Sequence, residues 1–368
     1  MAKSAYIGVS SKARKVKKMY IGIDGVARKV KKAYIGVGGV ARLWWSGQQQ
    51  LSYYGTATEL YAPRTALAAA SVGNYAIFAG GDRKSGSSTY TLKTVDAYDK
   101  SLTHTVPTEL TDAKTNAIGG SVGNYALITG GTINSYTTNA YNTSLTRSKP
   151  TDSLGGGYGM AAASVGNYVL FAGGNISGMR LMTVTAYNTS LTRSSATNLS
   201  LAREYLGGAK VGNYALFAGG STSGSSIVDA YDTSLTRTSP TELSLARYGL
   251  AGATAGNYAV FGGGYVSSTS QNTNVVDAYN TSLTRSTPAV FTNARRFFIS
   301  TSLGEYALFG GWVATTEAYD SSLTHTNPSN MSSTRNGMAA ASVGNYALFA
   351  GGTSGSTQVT TVDVYQVA

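Results

Sequence analysis

Val-Gly-Asn-Tyr-Ala-Leu-Phe-Ala-Gly-Gly, residues 211–220 and again residues 343–352, is the stretch on which the fold turns. Its core is Gly-Asn-Tyr, then Ala or Val, two apolar residues, one more residue and Gly-Gly. This word opens at Gly73, Gly123, Gly166, Gly212, Gly256 and Gly344, and in a worn copy, Gly-Glu-Tyr-Ala-Leu-Phe-Gly-Gly, at Gly304. The copies stand 40 to 50 residues apart. A unit of that length cannot bury its own apolar faces, so seven copies predict a ring or stack of units.

Outward from the word, each repeat parses alike. A small apolar run such as Ala66–Ser71 or Met338–Ser342 meets the Val-Gly-Asn turn, and the run through Tyr-Ala-Leu-Phe-Ala follows it. After a loop of variable length a third run closes at Tyr98, Tyr141, Tyr187, Tyr231, Tyr279 or Tyr319, and a short turn leads to Ser-Leu-Thr-Arg/His. Four antiparallel strands in about 45 residues describe a β-propeller blade. The chain reaches Tyr365 and then lacks a fourth strand, whereas residues 50–57 precede Thr58-Glu59-Leu60 as a fourth strand precedes Thr241-Glu242-Leu243. The sequence therefore predicts an all-β, seven-bladed ring in which an N-terminal strand, with Tyr54 at the Arg237 position, completes the last blade and pairs its open edge.

Composition agrees with many short strands: 368 residues include 45 Gly and 26 Tyr but only six Pro. The absence of Cys excludes disulfides, thiolate metal sites and cysteine nucleophiles. No run has the length of a membrane span and no signal peptide is expected. Charge divides the chain. Residues 1–46 hold eleven Lys/Arg against Asp24 alone, whereas residues 47–368 hold eighteen Lys/Arg against sixteen Asp/Glu. We read residues 1–46 as an attachment or oligomerisation segment and residues 47–368 as the propeller.

In the basic segment Tyr6, Tyr20 and Tyr34 recur at an interval of fourteen, and Asp24-Gly25 and Gly38-Gly39 suit type I′ hairpin loops. Around Asp24-Gly25 the register would pair Ile23 with Val26, Gly22 with Ala27, Ile21 with Arg28, Tyr20 with Lys29 and Met19 with Val30. Isolated hairpins are marginal in water, so docking on other copies or on another protein is expected, and with it a homo-oligomer. The Lys/Arg runs follow the hairpin period and no groove-reading motif accompanies them, so nucleic acid is not the expected partner.

Two resemblances become usable here. The Tyr-Ile-Gly-Val…Ala-Arg-Lys-Val-Lys-Lys repeat is similar to short repeats in structural proteins of tailed phages and prophages of Gram-positive gut bacteria, which implies a virion component attached through its N-terminus to other virion proteins. The Gly-Gly closing the second strand and the Tyr-Asp/Asn closing the third resemble the kelch repeat. One departure stands out: the fourth-strand Trp of that family is replaced by Arg147, Arg193, Arg237, Arg285, His104 and His325.

Catalytic chemistry finds little to work with. The two histidines replace Arg at one repeat position, and the recurring Asp96, Asp229, Asp277 and Asp363 all precede an Ala/Val-Tyr pair, a blade feature rather than an acid/base pair. No cofactor, metal or enzymatic activity is expected. A less bland pattern lies nine residues before each word, at Arg64, Lys114, Gly157, Arg203, Arg247, Arg295 and Arg335. These side chains either pair with blade acids and carbonyls or form a basic collar at one channel mouth for an anionic ligand. The variable loops of the same face offer Arg83, Tyr136, Arg180, Tyr265 and Trp312, and the connections add Tyr158, Tyr205, Tyr248, Arg296 and Phe297. The expected function is host-receptor or glycan binding from a phage particle surface. The alternative is capsid or tail decoration without a specific receptor.

Overall fold

The computed structural model describes residues 50–132 and 136–367, and the backbone of strands within residues 6–46. Residues 1–50 and residues 51–367 form separate compact units.

The first unit contains three two-stranded antiparallel sheets, Tyr6–Val9 with Lys12–Lys15, Tyr20–Ile23 with Val26–Lys29, and Lys32–Val37 with Val40–Ser46. In the second, Ile23 faces Val26, Gly22 faces Ala27, Ile21 faces Arg28 and Tyr20 faces Lys29. The Met19–Val30 pair lies outside the described residues.

The second unit is an all-β propeller of seven blades, each built on a four-stranded antiparallel sheet, to which blade 3 adds the short strand Met179–Arg180. Blade 4 shows the plan: the inner strand Gly207–Val211 pairs with Tyr214–Ala218, then Val228–Tyr231, then the outer Arg237–Thr238. Inner strands of successive blades are neighbours all the way round, and that of blade 7 (Ala339–Val343) returns to that of blade 1 (Ala68–Val72). Blade 7 is closed by the strand Leu51–Thr56 paired antiparallel to Val362–Val367. The expected closure is present, with one correction. A bulge between Val364 and Tyr365 places Tyr53, not Tyr54, opposite Tyr365, where Arg237 stands opposite Tyr231 in blade 4. Tyr53 accordingly donates its hydroxyl to Asp363 at 2.6 Å, while Tyr54 packs edge-on against Tyr346 at 5.3 Å.

Local rules explain the repeat word. The Val-Gly-Asn turn has positive φ at its glycine alone (Gly73, 53°), as a type II′ hairpin requires. At the other end, Gly80 (66°) and Gly81 (101°) are left-handed, and a Cβ on Gly80 would lie 2.4 Å from the Lys114 carbonyl oxygen. The turn from third to outer strand is an Asx turn: Asp99 Oδ1 accepts from the N–H groups of Ser101 (2.7 Å) and Thr103 (2.9 Å). It forces Leu102 to φ 62°, and Leu145, Leu191, Leu235, Leu283 and Leu323 repeat this. A left-handed leucine costs roughly 1–2 kcal/mol, offset because each packs against a core cluster between blades.

Seven apolar clusters occur among the described residues, one at each joint between blades. The fully buried third-strand tyrosine of each blade enters the joint with the preceding blade, and the hydroxyl of Tyr98, for instance, reaches back to the Thr58 carbonyl at 2.8 Å. Tyrosine thus fills the joint without the outer-strand tryptophan of kelch repeats. Deleting residues 47–57 would strip blade 7 of its outer strand and expose Val362–Val367. We expect the melting temperature to fall by more than 10 °C in differential scanning calorimetry; an unchanged value would contradict the closure.

Candidate functional site

The six basic positions do not form an open collar. Arg64, Arg203, Arg247, Arg295 and Arg335 have no solvent exposure and Lys114 has 1%. Each arginine enters from an inter-blade connection and meets an acid on the third strand of the blade that follows: Arg64 with Asp96, Arg203 with Asp229, Arg247 with Asp277 (2.9 Å), Arg295 with Glu317 (2.6 Å) and Arg335 with Asp363. Further guanidinium N–H groups donate to blade carbonyls, as Arg335 does to Gly351 (2.7 Å) and Thr361 (2.8 Å). Of the two sequence-based readings, the structural one describes the geometry.

The carboxylates are equally committed. Asp363 accepts from the Ser332 N–H at 2.9 Å and from Tyr53; Asp96 accepts from the Tyr61 N–H at 2.8 Å and contacts His104 Nε2 at 2.6 Å. Glu317 contacts His325 Nε2 at 2.7 Å, and Arg237 and Arg285 approach Asp229 and Asp277 at 3.4 and 3.6 Å. The outer-strand Arg/His column therefore seals the acid from outside, and both histidines are structural. Among the described residues no group of three or more His, Asp or Glu could hold a metal.

The repeats themselves show that the two partners depend on each other. Where blade 2 has Lys114 in place of Arg, its third strand carries Asn139 in place of Asp; where blade 3 has Gly157, it carries Thr185. A buried charge without its partner is strongly unfavourable, so loss of one removes the reason for the other. Burial lowers the pKa of Arg203, Arg247, Arg295 and Arg335, opposed by their acids. Lys114, with its Nζ 3.1 Å from the Gly130 carbonyl, is pushed down to about 8 by burial.

The same connections build the channel rim. Two residues after each basic position the chain is left-handed: Ala66, Asn116, Gly159, Tyr205, Gly249, Phe297 and Gly337 all have φ between 51° and 68°. At five of them the N–H reaches the carbonyl of the equivalent residue one blade back, Asn116 to Ala66 (2.8 Å), Tyr205 to Gly159 (2.7 Å), Gly249 to Tyr205 (2.9 Å), Phe297 to Gly249 (2.8 Å) and Ala66 to Gly337 (2.8 Å). Tyr205 and Phe297 thus put an aromatic ring where three blades use glycine, and each ring lies over the glycine of the preceding blade. Trp312 is a third strained aromatic. Trp312 (φ 70°) occupies the place of Gly81, Gly131, Gly174, Gly220, Gly264 and Gly352, whose φ values are 96–114°. A strained bulky residue that the repeat does not call for is a pointer to function.

These residues join into one arc. Ring centroids lie 5.8 Å apart for Tyr158–Tyr205, 4.9 Å for Tyr205–Phe297, 5.9 Å for Phe297–Tyr248 and 5.4 Å for Tyr248–Tyr265. The Arg296 guanidinium sits over Tyr265 (4.2 Å), Phe297 (5.7 Å) and Trp312 (5.9 Å). Phe297 is 41% exposed and the others are half-buried. Burial raises the Tyr205 phenol to about 12, so its ring stays neutral at ordinary pH. Of the loop residues singled out from sequence, Tyr265 and Trp312 come together here. Arg83 and Tyr136 are exposed on blades 1 and 2, and Arg180 is tied to Glu204 (3.1 Å) and Thr222; none of these three joins the arc among the described residues.

Lys210 was not anticipated. A cavity of about 570 Å³ lies against the inner strands of blades 2–6, lined by small residues and Lys210. Two residues before the turn glycine, six blades carry Ser71, Ser121, Ser164, Thr254, Ser302 and Ser342, and blade 4 carries the exposed Lys210. Hydroxyls in this column donate across joints, as Ser121 does to the Ser71 carbonyl at 2.7 Å. Aligning the repeats column by column would have revealed both Lys210 and Trp312.

Two outcomes are expected. Arg247→Met or Asp277→Asn alone should cost about 3–5 kcal/mol in urea denaturation, and the double variant less than the sum by over ~1 kcal/mol. Stability should also depend on pH in a defined window. Below about pH 8 both folded and unfolded states protonate Lys114; between there and 10.5 the unfolded chain alone holds that proton, so stability rises with pH. Above pH 10 the trend should reverse, because burial raises the phenol pKa of Tyr98, Tyr141, Tyr187, Tyr231, Tyr279, Tyr319 and Tyr365 and the unfolded chain ionises first. Urea midpoints from pH 7 to 11 would show this, and Lys114→Met should abolish the rising limb.

No protein-family profile and no curated protein matches the chain. Among solved structures, that of YjhT is similar over 83% of this chain and 95% of its own length, with a TM-score of 0.52 and 11% sequence identity. At that identity the likeness is one of fold, a propeller, and carries no activity with it.

Proposed function

We propose that this protein is a non-enzymatic surface component of a phage-type particle, fastened through residues 1–46 and binding a host-surface glycan or protein through the rim of a kelch-like propeller. The aromatic arc carries the reading. The blade plan does not require rings at the left-handed positions of Tyr205, Phe297 and Trp312: six sister blades use glycine at the place of Trp312, and three use glycine and two Ala66 and Asn116 at the place of the other two. Half-buried rings on a rigid rim present flat apolar surface at little entropic cost, which suits saccharides and protein surfaces. Attachment through the basic N-terminal repeats rests on their resemblance to phage structural repeats and on their charge, eleven Lys/Arg against one acid.

The repeats supply a test variant that respects the fold. Phe297→Gly/Trp312→Gly restores the residue most sister blades carry at the second position and three carry at the first. The full chain should sediment with cell-wall fragments of Gram-positive gut bacteria. The double variant should keep or raise its melting temperature while binding falls at least tenfold. Equal binding by the two proteins would remove the arc from the mechanism. Immunogold labelling on the head shell with no wall binding would instead favour decoration.

A further inference from the structure

Arg296 differs from the other arginines of the rim. Its guanidinium is held over three aromatic rings, makes no hydrogen bond or ion pair among the described residues, and its Nε is buried without a partner. Arg295, beside it, is sealed against Glu317, and Arg180 is bound by Glu204. At the place of Arg296 the other blades carry Thr65, Thr115, Tyr158, Glu204, Tyr248 and Asn336, so the blade plan does not ask for a cation there.

We infer that Arg296 is the anion-recognising centre of the rim site, and that the ligand is an anionic saccharide whose carboxylate or phosphodiester meets the guanidinium edge while its sugar ring packs on the neighbouring aromatics. This rests on the binding-face reading above and specifies its ligand class. A guanidinium stacked on ring faces is partly stripped of water and fixed in orientation, while stacking leaves its in-plane N–H groups able to bond a planar or tetrahedral oxyanion. The charge-assisted hydrogen bonds formed there are about twice as strong as neutral ones. Phe297, the most exposed ring of the arc and a contact of Arg296, offers the apolar surface beside it. The three segments involved, the connection holding Arg296-Phe297, the loop strand Tyr265–Val266 of blade 5 and Trp312 of blade 6, converge from two blades. The cation stacked on rim aromatics is therefore local to the joint between blades 5 and 6, apart from the exposed Arg83 of blade 1 and in contrast to a ring of six equivalent charges.

The test uses the full-length protein and three immobilised polymers: polygalacturonate, the same polymer after carboxyl reduction, and glycerol-phosphate wall teichoic acid. Wild type should bind at least one anionic polymer and bind the reduced polymer at least tenfold more weakly, with affinity falling as salt rises. Arg296→Thr, a residue two sister blades carry, should leave the melting temperature unchanged and weaken anionic-polymer binding at least tenfold; Arg296→Lys should recover only part. Equal binding of acid and reduced polymers, or undiminished binding by Arg296→Thr, overturns the anion assignment. Binding of neither anionic polymer at millimolar saccharide overturns it also. If wall-fragment binding is lost in Phe297→Gly/Trp312→Gly but kept in Arg296→Thr, the face stands and the anion contact fails. If both variants keep it, the face reading fails too.

Discussion

A guanidinium sealed against a carboxylate inside each of five joints is the interaction that organises this propeller. The arginine belongs to the segment arriving from one blade and the acid to the third strand of the next, so the pair ties chain connectivity to sheet packing. The arginine's own carbonyl is used as well. The N–H at the place of the second glycine, Trp312 in blade 6, donates across the joint to the carbonyl at the arginine position, which Lys114 and Gly157 fill in blades 2 and 3; these bonds run from Gly81 to Lys114 (2.7 Å) through Gly352 to Arg64 (2.8 Å), closing the circle. Gly-Gly, the basic residue and the third-strand acid are thus three parts of one joint, distant in sequence and coupled in space. A buried ion pair is weak evidence for net stability but a strong specifier of geometry, since misregistered blades would leave charges buried alone.

That rigidity allows the rim to depart from its own pattern. The left-handed positions above the channel are natural sites for glycine, and most blades fill them with small residues. Aromatic rings at Tyr205, Phe297 and Trp312 store strain that only an over-determined scaffold can hold. The hydrogen bonds linking neighbouring rim residues hold the backbone in place while the rings lie over Gly159 and Gly249. The aromatic arc lies on blades 3–6, so a structurally repetitive ring acquires one distinct side. Lys210 in the channel lies in the same part of the ring, on blade 4.

How much of this the amino-acid sequence discloses depends on whether the cause is local. The strand order, the turn at each Val-Gly-Asn and the borrowed strand Leu51–Thr56 follow from spacing, turn residues and the need to cover an open edge. The one-residue difference between Tyr53 and Tyr54 arises from a bulge at Val364–Tyr365, which no repeat alignment contains. For the basic column the sequence left two readings open, because a repeat-invariant arginine is compatible with an exposed ring or a buried pair. Its complement, Asp96, Asp229, Asp277 and Asp363 with the exceptions Asn139 and Thr185, was visible in the same rows; the pairing between the columns was not.

By itself, then, the sequence determined the number of blades, their internal order and the closing of the circle, because periodic apolar runs and left-handed glycines admit few other arrangements. Tertiary structure alone decided which cations are consumed and which remain. Arg295 and Arg296 are adjacent in the chain, yet one is turned inward to Glu317 and the other lies on a bed of rings. Whether a charge meets an acid or an aromatic face is settled by which neighbouring blade its side chain reaches, and that is a property of the assembled ring.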